Sequence, residues 1–129
     1  MKVNTVEKWH EMVAAGDVTA LEEILAENAV FHSPVVHAPQ VGKARTKMYL
    51  AAAFHVLADD SFNYVREVVS ETDAILEFEV EIDGLLVNGV DMISWDESGR
   101  ITDFKVMLRP LKAINLIHRK MAELLTREG

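Results

Sequence analysis

Apolar and charged residues alternate most strictly between Leu76 and Ile82, where every second side chain is hydrophobic. Glutamates occupy the three positions between them. A period of two residues is typical of a β-strand with one face on a core and the other toward water or a partner. Asp83-Gly84 follows as a hairpin signal. The pattern therefore predicts a half-buried strand that turns back on itself.

Two further strands are predicted after this hairpin. The first, from Leu86 to Trp95, carries a single carboxylate, Asp91, on the same face as the apolar residue Trp95. The second, Ile101 to Leu108, follows a turn that ends at Gly99. A carboxylate among apolar neighbours on a sheet is either a surface residue or a pocket acid. Asp91 is for this reason the first candidate functional residue.

The first half of the chain begins with a helical pattern. An apolar stripe at helical spacing starts after Asn4 and stops at Gly16, and Asp17 is a suitable N-cap for a second helix. We expect this second helix to end near Asn28. Ala29 to Ser33 is then predicted as a short strand, because the following proline cannot donate to a ladder.

The remaining elements complete the order. Val35 to Gly42 shows no clear period and is predicted as a loop. A third helix is expected from Ala44 to Leu57, followed by a strand from Phe62 to Ser70 that is rich in β-branched and aromatic residues. Pro110 suits the first turn of a final helix. Residues 1–129 are therefore predicted to form one α+β domain, with helices packed on one face of a curved sheet.

Composition excludes several functional classes. Thirteen basic and twenty-one acidic residues give a net charge of −8, which should repel phosphate backbones, so we expect no nucleic-acid partner. The absence of cysteine excludes disulfides, thiol nucleophiles and thiolate metal sites. The longest apolar stretch, Met48 to Ala58, is too short for a membrane span, and the N-terminal residues lack a signal-peptide pattern. We expect a cytoplasmic protein without a membrane partner.

Four segments of the chain together indicate a family: the helices around Gly16-Asp17, Asn28 to Pro34, Gly89 to Asp96 with the turn through Gly99, and Ile101 to Pro110. Through these segments nearly the whole chain resembles the SnoaL-like branch of the nuclear-transport-factor-2-like superfamily. It implies a cone-shaped α+β barrel with an internal pocket, and usually a homodimer packed through the sheet. The superfamily includes isomerases, cyclases, epoxide hydrolases, dehydratases and non-catalytic members, so the fold alone does not assign a reaction.

The resemblance can be followed residue by residue. Asp91 occupies a position similar to that of the acid that donates a hydrogen bond to the enolate in ketosteroid isomerases. Those enzymes have a base carboxylate where this chain has Ser33, and a phenol where it has Trp9. Epoxide-hydrolase relatives have an Arg-x-Asp and a further Asp, where this chain has Glu77-Phe78-Glu79 and Val106. The chain thus retains one acid of the isomerase set and lacks the epoxide-hydrolase triad.

Other polar candidates each have an ordinary structural interpretation. His32 is a candidate acid or base near neutral pH, or else a hydrogen-bonded histidine at a strand end. Arg109 is a candidate for binding an anionic group, or else pairs with Asp91, Asp103 or a glutamate of a neighbouring strand. The histidines and glutamates have no spacing typical of a metal-ligand motif, so no metal and no cofactor are expected.

These observations lead to one hypothesis and one alternative. The hypothesis is a homodimeric, cofactor-free acid–base isomerase, cyclase or dehydratase that acts on a small, mainly apolar carbonyl compound. Asp91 would be its proton donor or base, and His32 a second catalytic group. The alternative is a non-catalytic ligand-binding or dimerisation module with a degenerate pocket. The residues expected to contact the ligand are Trp9, Ser33, Phe54, Trp95, Met107 and Arg109.

Overall fold

The computed structural model describes residues 4–128, which form one helix-and-sheet domain. The helices are α1 (Thr5–Ala15), α2 (Leu21–Ile24), α3 (Lys43–Leu57) and α4 (Leu111–Glu128), and a 3₁₀ turn at Val18–Ala20 precedes α2. The strands are β1 (Leu25–His32), β2 (Gln40–Val41), β3 (Asn63–Val69), β4 (Asp73–Ile82), β5 (Leu85–Trp95) and β6 (Ile101–Arg109).

All six strands belong to a single mixed sheet in the order β2-β1-β6-β5-β4-β3. β1 runs parallel to β6, whereas every other neighbouring pair is antiparallel. Helices α1, α3 and α4 pack against one face of this sheet. The predicted α+β fold is confirmed.

Two turn predictions are explained by backbone geometry. Asp83 and Gly84 both have positive φ angles, 51° and 80°, which suit the two-residue hairpin that joins β4 to β5. Gly16 ends α1 with a φ of 66°, and its N–H donates to the carbonyls of Met12 and Val13. Glycine adopts this left-handed conformation without a Cβ penalty, so the helix ends where the sequence predicts.

The region after α1 differs from the prediction. The second helix ends at Ile24 rather than near Asn28, and β1 begins at Leu25 rather than at Ala29. Leu25 is fully buried and pairs with Ile101 of β6, with a register shift farther along the strand. Pairing with a distant strand therefore outweighs the local helical pattern. The predicted loop also contains β2, which pairs with the end of β1.

The two faces of the sheet have different surroundings. The inner face of β4, β5 and β6 packs against the helices, and its buried side chains form the core, including Leu76, Phe78, Val87, Ile93 and Phe104. The glutamates that alternate with the apolar residues of β4 lie on the outer face. Within residues 4–128, none of the helices is long and apolar enough to span a membrane.

Candidate functional site

A cavity of about 540 Å³ lies between the inner face of the sheet, α1 and α3. Its walls are mostly apolar, and they include Trp9, Leu50, Phe54, Phe78, Phe104 and Val106. The polar groups that line it are the Trp9 indole N–H, the Tyr64 phenol and the carboxyls of Asp59, Asp60 and Asp91. An apolar cavity of this size with a few polar groups is typical of a small-molecule site.

Asp91 lies on the inner face of β5, in the middle of the sheet. It pairs with Leu76 of β4 on one side and with Val106 of β6 on the other, and both neighbours are buried. The period of two along β5 places Asp91 on the same face as the buried Ile93. Asp91 itself is only 6% exposed. The period of two along β5 therefore places a carboxyl group on the buried face of the sheet.

A relay of two hydrogen bonds connects Asp91 to α1. The Tyr64 hydroxyl donates to Asp91 Oδ2 over 2.9 Å, and the Trp9 indole Nε1–H donates to the Tyr64 oxygen over 2.8 Å. Asp91 Oδ1 makes no hydrogen bond with any described residue. Since no buried side-chain nitrogen or oxygen in residues 4–128 lacks a partner, Oδ1 keeps access to the cavity that Asp91 lines. One carboxyl oxygen is thus held and the other is available.

Burial controls the protonation of this relay. Desolvation raises the pKa of Asp91 from its ordinary 3.8 to about 7, and the hydrogen bond from Tyr64 opposes the rise only in part. Burial and the nearby Asp91 charge raise the pKa of Tyr64 as well, so its phenol stays protonated. Near neutral pH, Asp91 is therefore present both as an acid and as a carboxylate. Such a group can give or accept a proton.

The structure brings together three of the residues predicted from the sequence. Trp9 and Phe54 line the cavity with Asp91, and their rings contact each other with centroids 5.4 Å apart. Trp95 is buried in the core instead, and its Nε1–H donates to the carbonyl of Glu71. The Ser33 hydroxyl accepts a hydrogen bond from the backbone N–H of Val35. Neither Trp95 nor Ser33 lines the Asp91 cavity.

The other three predicted residues lie away from the cavity lining. His32 Nε2 is 2.9 Å from Asp103 Oδ1, and these two groups form a half-exposed pair on neighbouring strands. Met107 and Arg109 border a separate depression of about 290 Å³ on the outer face of the sheet. The Arg109 guanidinium donates to the Asn88 side chain over 3.4 Å. Arg109 therefore contacts an amide and does not pair with Asp91.

Tyr64 is the site residue that the sequence did not reveal. The pattern predicts its strand correctly, but it gives no reason to connect Tyr64 with a carboxylate 27 positions later. The contact arises because β3 pairs with β4, β4 pairs with β5, and the register of β3 shifts directly after Tyr64. Its position two residues after Phe62, on the same face of the strand predicted from Phe62 to Ser70, is the one local signal that it points inward.

The residues described here contain no group of three or more His, Asp or Glu side chains arranged to hold a metal ion. The cavity likewise offers one indole, one phenol and three carboxylates as polar groups. These side chains can donate or accept hydrogen bonds.

Helices packed on one face of a six-stranded mixed sheet form an α+β fold of the nuclear-transport-factor-2-like type. The model of the SnoaL-like domain matches residues 6–104, and the chain belongs to this family. A search of curated protein sequences finds no significant match.

Solved structures agree with this membership. A steroid delta-isomerase from Pseudomonas aeruginosa is 33% identical, with a TM-score of 0.90, and the match covers 96% of this chain and 90% of that one. An uncharacterised protein with a cystatin-like fold from Silicibacter pomeroyi is 30% identical, with a TM-score of 0.85 and coverages of 93% and 84%. A putative SnoaL-like polyketide cyclase from Jannaschia is similar in fold alone, at 11% identity, a TM-score of 0.69 and coverages of 88% and 90%.

Proposed function

We propose that the cavity binds a small, mainly apolar carbonyl compound and that Asp91 performs acid–base chemistry on it without a cofactor. The observation that carries this proposal is the Trp9–Tyr64–Asp91 relay, which leaves Asp91 Oδ1 facing a cavity of about 540 Å³. This volume falls within the ~300–1,000 Å³ of small-molecule sites. A carboxyl whose pKa is about 7 is matched to proton transfer near neutral pH.

Isomerisation of a β,γ-unsaturated ketone is the reaction that this site supports best. The Asp91 carboxylate takes a proton from the carbon between the carbonyl and the double bond, and the electron pair moves onto the carbonyl oxygen as an enolate. The neutral Asp91 then returns the proton to the far carbon of the former double bond. The double bond becomes conjugated with the carbonyl, and the carboxylate is regenerated. The step needs neither an oxidant nor a second reactant.

The relay gives Tyr64 and Trp9 distinct parts in this reaction. The phenol stabilises the Asp91 carboxylate by a hydrogen bond, and it is released to donate to the enolate oxygen when Asp91 holds the proton. The Trp9 N–H on the phenol oxygen favours negative charge there. A phenol from β3 thus substitutes for the one that the resemblance to ketosteroid isomerases expected at Trp9. The similarity to a steroid delta-isomerase supports isomerisation ahead of cyclisation or dehydration.

The direct test is conversion of β,γ-unsaturated ketones, steroidal and simpler, followed by the ultraviolet absorbance of the conjugated product. Asp91→Asn should lower kcat/KM by ~10²–10⁴-fold, the usual contribution of a general acid–base group. Asp103→Asn, which changes a carboxylate outside the cavity lining, is the matched control and should keep the wild-type rate. Conversion by Asp91→Asn at the wild-type rate would refute the assignment. The wild-type rate should rise with pH through about 7 as the base ionises.

A binding protein without turnover is the second candidate. Asp91 is the one carboxyl buried among the described residues, and Ser33 stands where the resemblance expected a base. One buried carboxyl is enough to hold a carbonyl ligand by a hydrogen bond from neutral Asp91. Native mass spectrometry of the purified protein separates the candidates, because a co-purifying ligand that is bound and never converted would favour this one.

We further propose that two copies of the chain associate through the outer face of the sheet. That face exposes apolar side chains, among them Val68 at 61% and Met107 at 50%, beside an ion pair of 3.3 Å between Arg66 and Glu77. Exposed apolar patches rimmed by polar residues mark sites of interaction between proteins. Light scattering at micromolar concentration should give a dimer, and Met107→Glu should give a monomer with unchanged circular dichroism. A wild-type protein that stays monomeric would overturn this proposal.

A further inference from the structure

Two helix ends meet at the Asp91 cavity. The last residues of α1 and Gly16 line it from one side, and Leu57 and Ala58 at the end of α3 line it from the other. The carbonyls at the C-terminal end of a helix carry a partial negative charge. The last turn of α1 contains no basic residue, and that of α3 contains only His55, which is exposed. The C-terminal ends of both helices therefore border the same cavity without a basic residue that lines it.

Two carboxylates add negative charge at this cavity. Asp59 and Asp60 directly follow α3, are exposed and line the cavity. Neither forms a salt bridge with another described residue. The Ser61 hydroxyl and backbone N–H donate to Asp59 Oδ1 over 2.6 and 2.8 Å, and these bonds lower the pKa of Asp59. Asp59 is therefore charged at neutral pH, with Oδ2 left free for a ligand.

The interior of the cavity contains a third carboxyl group, that of Asp91. Asp91 is 6% exposed, and its unpartnered Oδ1 faces the cavity. Among the described residues that line the cavity, none is Lys, Arg or His. A bound anion would thus meet three carboxyl groups and two helix C-termini without a single counter-charge. The net charge of −8 for the whole chain acts in the same direction.

We infer that the cavity selects its ligand by charge: it prefers apolar molecules that carry a protonated amine over their neutral analogues, and it excludes those that carry a carboxylate or a phosphate. The amine would lie at the opening beside Asp59 and Asp60, while the apolar body occupies the aromatic interior. This inference rests on the proposed role of the cavity as a ligand site. It adds that the substrate carries a positive charge. An amino ketone has both the carbonyl of the proposed function and the protonated amine of this inference.

A series of three probes on one skeleton tests the inference at pH 8. The probes are 2-(2-naphthyl)ethylamine, 2-(2-naphthyl)ethanol and 2-naphthylacetate, and their binding is measured by calorimetry in low salt. We expect the amine to bind roughly tenfold more tightly than the carboxylate, with the alcohol between them, since two exposed carboxylates each contribute a modest ion-pair effect. Raising the salt to about 0.5 M should shrink this ratio, because exposed charges are screened.

Paired variants locate the effect. Asp59→Asn/Asp60→Asn should reduce the ratio to within about threefold while the alcohol keeps its affinity. Glu71→Gln/Glu97→Gln removes the same number of charges from exposed residues outside the cavity lining, and it should leave the ratio unchanged. Equal affinities for the three probes, or a preference for the carboxylate, would overturn the charge inference alone. Failure of all three to bind would overturn the ligand-binding proposal and this inference with it.

Discussion

Replacing Asp91 by Asn changes the dependence of stability on pH in a way that the structure fixes. Asn keeps the size of the side chain and still accepts the hydrogen bond from Tyr64, but it cannot ionise. Burial raises the pKa of Asp91 from 3.8 to about 7 in the folded protein. At 1.36 kcal/mol per unit, ionising Asp91 costs the folded state about 4 kcal/mol in total. This is a large part of the 5–15 kcal/mol that is typical of small domains.

The sign of the change in stability with pH follows from how tightly the folded and unfolded states bind the Asp91 proton. The folded state holds the Asp91 proton more tightly than the unfolded state, so the stability that this proton contributes is complete below about pH 4. It is lost as the pH rises toward 7, and above 7 the loss levels off. All other carboxylates are common to both proteins and cancel in the difference. Relative to wild type, Asp91→Asn should therefore gain stability between pH 4 and pH 7 and keep that gain at higher pH.

Urea unfolding of both proteins, followed by circular dichroism at half-unit steps from pH 4.5 to 8.5, measures this difference. The carboxyl-carbon NMR titration of Asp91, with Asp91→Asn as the assignment control, gives the pKa directly. A difference in unfolding free energy that stays constant across the range would refute the reasoning, because it would mean that Asp91 titrates alike in both states. If the wild type instead becomes more stable relative to Asp91→Asn as the pH rises, the difference has the opposite sign. That result would imply a lowered pKa of Asp91 in the folded protein.

Three further changes test the surroundings of the site. Tyr64→Phe removes the donor to Asp91; it should destabilise the fold by about 1–3 kcal/mol in urea unfolding, and the NMR titration should show a higher Asp91 pKa. Gly89→Ala puts a Cβ 2.4 Å from the Phe78 ring, and a loss of about 1–3 kcal/mol in the same assay is expected; a neutral effect would show that the ring moves freely. Gly84→Ala, at a φ of 80°, should cost about 1 kcal/mol by thermal unfolding, and a stabilised variant would contradict the assigned turn.

The sequence predicts those parts of the fold that depend on neighbours along the chain. The period of two in β4 and β5, the Asp83-Gly84 hairpin and the end of α1 at Gly16 are all local, and the structure contains each of them. β2 and the early start of β1 are not local, because they form by pairing with strands brought together by the fold. A residue such as Leu25 fits a helix or a strand equally well until its partner Ile101 is known.

The candidate site likewise contains residues that the sequence reveals and residues that depend on how distant strands pair. Asp91 is recognisable from the sequence, because it is the single carboxylate on the apolar face of its predicted strand. Tyr64 is not, because its contact with Asp91 depends on the register of two strand pairs. Met107 and Arg109 lie two positions apart in β6, so they share one face of the sheet. That face is the outer one, where they border a different depression. Deciding which face is inward requires knowing where the helices pack, and the pattern within one strand does not contain that information.

The cost of Asp91 is itself the strongest physical reason to regard the cavity as functional. A Leu or Val at this position would pack against Leu76 and Val106 without any of the ~4 kcal/mol that ionisation of Asp91 costs at neutral pH. Of its two carboxyl oxygens, Oδ2 accepts the hydrogen bond from Tyr64, and Oδ1 makes none with another described residue. A perturbed acid with a free oxygen in an apolar cavity is the arrangement found where proteins transfer protons or hold a carbonyl. The same oxygen supports both the catalytic and the binding proposal, so the measurement that separates them is whether the wild-type protein converts its bound ligand, with Asp91→Asn then testing the role of Asp91.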